Sequence, residues 1–175
     1  VAIGMALTHP DRVSRLVLID SLPDHVRERL ASPLMQRALN TSVPAWLARF
    51  GALFVGNRTM EAVLKEIIYD HTLVTPAVLD RSNRNRQRED MITPLMSLRD
   101  SLPLWEQHFA PKLKEIRHPT LILWGEQDRL FPPQVGRDLQ TTIPQARLIM
   151  IPEAGHIPQW EQPQVVNRHI TEFLQ

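Results

Sequence analysis

The sequence predicts an α/β fold, a partial parallel sheet flanked by helices with a helical lid insertion between two of its strands. Three observations predict it. Three short segments are near-continuous apolar runs, helix-compatible segments lie between them, and one long proline-punctuated block contains no strand-like run. A continuous apolar run suits a strand covered on both faces, which is the situation in a parallel sheet packed between helices.

The elements follow in chain order. Residues 1–8 are rich in Ala, Met and Leu and read as a helix that stops at His9-Pro10-Asp11. Proline disfavours helical geometry at the residue before it. Arg15-Leu16-Val17-Leu18-Ile19-Asp20 reads as the first strand, Thr120-Leu121-Ile122-Leu123-Trp124-Gly125 as the second and Arg147-Leu148-Ile149-Met150-Ile151 as the third. A helix over 133–142 begins with proline, where the missing N–H is harmless. The last helix is expected over 161–174, with Val165, Val166, His169, Ile170 and Phe173 spaced for one face. The order helix, strand, long insert, strand, helix, strand, helix is that of an α/β domain.

The insert is expected over 21–117, dividing a first core piece, 1–20, from a C-terminal core, 118–175. Prolines at 23, 33, 44, 76, 94, 103 and 111 punctuate it. Helix-compatible pieces lie between them, at 24–41, 45–54, 59–70, 76–88 and 93–108.

Composition narrows the function classes. A chain of 175 residues with 43% apolar content can build one real core. A net charge of +1 leaves no electrostatic footprint for nucleic acid or membrane partners. The absence of cysteine removes disulfides, thiolate metal sites and cysteine nucleophiles, and fits a reducing, cytoplasmic setting. The apolar runs are far too short to span a bilayer. The chain opens at Val1 inside an apolar small-residue segment, which is expected of a fragment. Nothing in the sequence assigns an oligomeric state.

Two strand ends carry chemistry. One reads Trp124-Gly125-Glu126-Gln127-Asp128-Arg129-Leu130-Phe131-Pro132, the other Pro152-Glu153-Ala154-Gly155-His156. In open parallel sheets, sites gather beyond the carboxyl ends of strands. One helix and one strand separate Asp128 from His156, which makes their strands candidate neighbours with both loops at one sheet edge. A serine hydroxyl needs a base, an imidazole can take and return its proton, and a buried carboxylate fixes the imidazole tautomer.

These segments together closely resemble the C-terminal third of α/β-hydrolases. The match runs from Trp124-Gly125-Glu126-Gln127-Asp128 to Pro132, then Gly155-His156, Glu161-Gln162-Pro163 and Phe173-Leu174. Val1 to Leu7 and His9-Pro10-Asp11-Arg12-Val13 through Asp20 look like the segment that follows the family's nucleophile elbow. The resemblance implies that Asp128 is the acid and His156 the general base. It places the nucleophile on a G-x-S-x-G turn on the order of five residues before Val1, so the chain alone is expected to be inactive. No cofactor or metal is implied.

Plainer readings stand beside these. An Asp after a strand is often a turn former. Glu126, Asp20 and Asp24 are alternative acids. Leu130 and Ile157 follow the two catalytic positions and are expected to face the pocket. Trp105, with Trp46 and the lid methionines, suits either an apolar pocket or ordinary packing between lid helices. Arg81, Arg84 and Arg88 share a helical face; Arg84 is a candidate anion contact, and a solvated face balanced by Glu89 and Asp90 is the plainer reading. Tyr69, the only tyrosine, reads as structural. The expected reaction is hydrolysis of a small, partly apolar ester through serine, His156 and Asp128. The alternatives are carbon–carbon bond hydrolysis, epoxide hydrolysis or dehalogenation on the same fold, and a truncated, non-catalytic binding protein.

Overall fold

The computed structural model describes residues 1–40, 56–87 and 92–175. Helix α1, Ala2–Thr8, leads through a 3₁₀ turn to strand β1, Leu16–Ile19. Helices α2 (Val26–Arg29), α3 (Pro33–Asn40), α4 (Asn57–Ile67), α5 (Pro76–Gln87) and α6 (Ile92–Leu104) follow. Strand β2 is Thr120–Gly125, α7 is Pro133–Thr142 and β3 is Ala146–Ile151. The chain closes with α8, Pro158–Glu161, and α9, Pro163–Leu174. The expected helix over 45–54, Trp46 and the 88–90 end of the basic run lie outside the described residues.

The three strands form one parallel sheet in the order β1-β2-β3. Leu16 pairs with Thr120, and Thr120 with Ala146. β2 is central and buried along its whole length. Its alternate side chains serve two cores. Ile122 and Trp124 join Ile3, Ala6, Val135 and Leu139 on one face, while Leu121 and Leu123 join Val166 and Ile151 on the other. This explains the unbroken apolar run: neither face of β2 meets water. β3, at an edge, is mostly half-buried.

Several expected helices are shorter or divided. The described part of 24–41 forms α2 and α3, interrupted before Pro33, and the helix expected over 161–174 starts only at Pro163, with Glu161 ending the separate α8 and Gln162 between them. In both places proline cannot donate a backbone bond and restricts the residue before it. The stretch 93–108 leaves α geometry after Leu104 and passes into a π-helical turn, Trp105–Phe109. Pro103 removes a donor just ahead of that turn.

Between β1 and β2 the described residues are helical or connecting, so a helical insertion is present. Its ends are fastened to each other. The Glu106 carboxylate accepts the backbone N–H groups of His25 and Val26, at 2.8 and 2.6 Å, and Trp105 donates its indole N–H to the Pro23 carbonyl at 2.6 Å. Val26, Leu30 and Leu102 then join the main core.

The end of β2 is constrained by a backbone approach. A Cβ at Gly125 would run into the Gly155 carbonyl, whereas one at Gly56 would meet nothing within 4 Å. Gly125→Ala is expected to cost about 3 kcal/mol in urea melts, and Gly56→Ala less than about 1 kcal/mol. Equal costs for the two would contradict this packing.

Candidate active site

The loop after β2 turns back on itself through the Asp128 side chain. Asp128 Oδ1 accepts the backbone N–H groups of Leu130 at 2.7 Å and Phe131 at 3.1 Å. This is the local turn that an Asp favours when its carboxylate can reach the amides that follow. With Oδ1 so committed, Oδ2 lies 2.9 Å from His156 Nδ1. A carboxylate only accepts, so Nδ1 carries the hydrogen and Nε2 presents its lone pair. The Asp128 side chain is fully buried and the imidazole remains partly exposed. Phe131 packs beside the imidazole with ring centroids 5.8 Å apart.

The two loops are laced together by backbone. Glu126 N–H donates to the Ile151 carbonyl at 3.0 Å and Gln127 N–H to the Ala154 carbonyl at 2.9 Å. The Gln127 side-chain oxygen accepts the Ala154 N–H in return, at 3.0 Å. The sheet register makes this possible, because Gly125 and Ile151 are paired at the strand ends.

The insertion reaches the same loop. His156 N–H donates to the Ile67 carbonyl at 2.7 Å. A Cβ at Gly155 would lie 2.5 Å from that carbonyl and 2.9 Å from Tyr69 N, so only glycine permits the contact. The Glu161 carboxylate bridges both sides: one oxygen accepts from Gly155 N at 2.7 Å, the other from Tyr69 N at 2.6 Å and Asp70 N at 3.0 Å. Sequence reading assigned Glu161 to a motif without a role; the signal was a lone acidic residue just beyond Gly155-His156.

Asp20, at the end of β1, completes the cluster. Oxygens of Asp20 and Asp128 and a nitrogen of His156 lie within 4.8 Å of one another, the one such group of metal-ligand type among the described residues. The Asp128 oxygens and His156 Nδ1 are already engaged in hydrogen bonds with one another and with the Leu130 and Phe131 amides. Asp20 Oδ1 accepts the Gly125 N–H at 3.0 Å. Burial, and next the neighbouring Asp128 charge, push the Asp20 carboxyl up to about 8. The other alternative acids stand apart: Glu126 is exposed and Asp24 pairs with Arg29 at 3.0 Å.

The remaining candidates divide by location. Leu130 is bonded to Asp128 through its backbone, and Ile157 adjoins His156. Trp105 lines an apolar groove of about 220 Å³ with Gly4, Leu22, Leu102 and Phe109, and neither Asp128 nor His156 is among the residues that line it. Arg84 is exposed on α5 and lines neither this groove nor a polar one of about 360 Å³ formed by Tyr69, Asp70, His71, Thr72, Glu153 and Gln162.

A family model described as alpha/beta hydrolase fold matches residues 2–163. The chain belongs to the α/β-hydrolase fold family. It is 26% identical over 174 residues to a 2-hydroxy-6-oxo-6-phenylhexa-2,4-dienoate hydrolase of Burkholderia cepacia, covering 99% of this chain and 58% of that protein. A 2-hydroxy-6-oxononadienedioate/2-hydroxy-6-oxononatrienedioate hydrolase of Comamonas testosteroni matches at the same identity and coverage. The chain thus spans 58% of the length of these curated relatives. The solved meta-cleavage product hydrolase CumD of Pseudomonas fluorescens IP01 superposes with a TM-score of 0.71 at 23% identity, over 99% of this chain and 60% of that one. At that identity the superposition shows the fold alone.

These matches correct the expected reaction. The substrates named for these curated relatives are 2-hydroxy-6-oxo acids rather than esters, and CumD is named a meta-cleavage product hydrolase. The ester expectation is overturned. That expectation rested on the acid and histidine positions, which are common to both chemistries.

The insertion's grip on the histidine loop is measurable. Glu161→Ala removes the shared acceptor of three amides, each bond to a charged group contributing about 1.5–3 kcal/mol. Hydrogen exchange at the Tyr69, Asp70 and Gly155 amides is expected to speed up at least tenfold. Unchanged exchange at all three would remove Glu161 as the bridge.

Proposed function

We propose that Asp128 and His156 are the acid and general base of a hydrolase that cleaves a carbon–carbon bond in a 2-hydroxy-6-oxo-dienoate type of substrate. The reading divides the chain into core pieces at 1–20 and 118–175 and a lid at 21–117. One observation carries it: the buried Asp128 carboxylate, its Oδ1 tied by two amides, presents Oδ2 to His156 Nδ1 at 2.9 Å. The names of the curated relatives support the substrate class.

The proposed chemistry follows from the pair. The 175 residues contain no G-x-S-x-G turn, so the nucleophile is assigned to the complete protein. His156 Nε2 takes the nucleophile's proton as its oxygen attacks the 6-oxo carbon, and Asp128 stabilises the imidazolium that forms. Once the 2-hydroxyl proton has moved to carbon 5, leaving a 2-oxo group conjugated with the double bond between carbons 3 and 4, the bond between carbons 5 and 6 breaks. Its electron pair passes into the conjugated dienolate, and the imidazolium returns a proton to that fragment. Water, deprotonated by the same imidazole, releases the acyl fragment.

Leu130 and Ile157 are proposed to flank the reacting centre, and the Trp105 groove to hold an apolar part of the substrate. The exposed position of Arg84 favours a solvated basic face over a substrate contact.

In the complete protein, Asp128→Asn and His156→Ala are each expected to lower turnover of a 2-hydroxy-6-oxo-dienoate by a factor on the order of 10³ or more. Loss of the chromophoric dienoate, followed by absorbance, measures it. Turnover within a few-fold of the native enzyme in either variant would overturn the assignment.

A further inference from the structure

Asp20 has no part in the chemistry above, yet it is the most buried acid beside it. It is 7% exposed, and its Oδ2 has no hydrogen-bond partner. Its backbone is left-handed, at φ 38°, a conformation that Asp tolerates better than most residues. That turn follows β1 directly, and the Gly125 N–H on β2 holds Oδ1.

The acceptor capacity of Asp128 completes the argument. A carboxylate offers about four lone-pair sites. Leu130 N–H, Phe131 N–H and His156 Nδ1 take three of those on Asp128. The side chains that face Asp20 are Asp128 on the β2 loop, Glu161 on α8 and His156 on the β3 loop. The first two are acidic, and the imidazole's Nδ1–H is already given to Asp128. An ionised Asp20 would place a second buried negative charge beside Asp128 without a donor for Oδ2.

We propose that Asp20 is a positioning residue: its carboxyl is held neutral, and its Oδ2–H donates to the Asp128 carboxylate, fixing the face that Asp128 turns to His156. The proposal rests on the reading of Asp128 and His156 as acid and base. Burial and the neighbouring carboxylate, which push the Asp20 carboxyl up to about 8, agree with it. The two carboxyl groups then share one negative charge at neutral pH. Above the Asp20 transition they carry two, and Asp128 loses a donor.

NMR on the 175-residue chain tests it without any turnover. Asp carboxyl ¹³C resonances and the His156 Nδ1–H proton are followed from pH 5 to pH 9.5, in the native chain, Asp20→Asn and Asp20→Ala. The resonance that Asp20→Asn removes is expected to titrate near pH 8, and the His156 Nδ1–H proton to shift in the same step. Asp20→Asn is expected to abolish that step and keep the neutral-pH signal, because an amide still donates to Asp128. Asp20→Ala is expected to displace or lose the signal at every pH. An Asp20 carboxyl titrating near its ordinary 3.8, or a His156 step that persists in Asp20→Asn, would overturn the proposal. Native turnover by His156→Ala in the complete protein would overturn only the acid–base reading, so the two failures are distinguishable.

Discussion

A carboxylate taken out of water is tolerable only when its oxygens find partners, and the site is organised around that constraint at Asp128. An unpaired buried charge costs several kcal/mol. Asp128 meets the demand with two amides of its own loop and one imidazole. The amides come from the turn that the Asp itself nucleates. The imidazole comes from a separate strand, and only the register of β2 against β3 brings it within reach. Fold and site are therefore one problem: the sheet delivers His156, and His156 helps make the burial of Asp128 affordable.

Glycine and glutamate then set how close the surrounding backbone can come. Gly125 lets the end of β2 lie against the Gly155 carbonyl, and Gly155 lets the Ile67–Tyr69 backbone lie against the histidine loop. Glu161 joins the two sides through backbone amides alone. The insertion is thereby coupled to His156 by main-chain bonds that do not depend on side-chain identity in 67–70. Such coupling gives a route by which movement of the helical insertion would be felt at the imidazole.

Much of this was legible in the sequence. The three apolar runs gave the strands, because a strand with two covered faces has no room for alternation. Asp128 and His156 stood out because each follows a buried strand within a turn-forming loop. The role of Asp20 was less legible: a strand-terminal Asp has no pattern that distinguishes a capping residue from a partner of another carboxylate. That distinction depends on which strand lies alongside, and β1 pairing with β2 is a tertiary fact. The breaks at Pro33 and Pro163 were marked by the prolines, although each expected helix was drawn across one of them. The choice between ester and carbon–carbon bond hydrolysis, both of which the sequence left open, was not legible, since an acid and an imidazole serve either chemistry.

The tautomer of His156 is the most direct measure of the central claim, that Asp128 fixes the imidazole for base chemistry at Nε2. Two-bond ¹H–¹⁵N NMR correlations on the 175-residue chain, recorded where the ring is neutral, report it. The geometry requires the Nδ1–H form, with a bare Nε2, in the native chain and its loss in Asp128→Ala. A native His156 in the Nε2–H form would contradict the account.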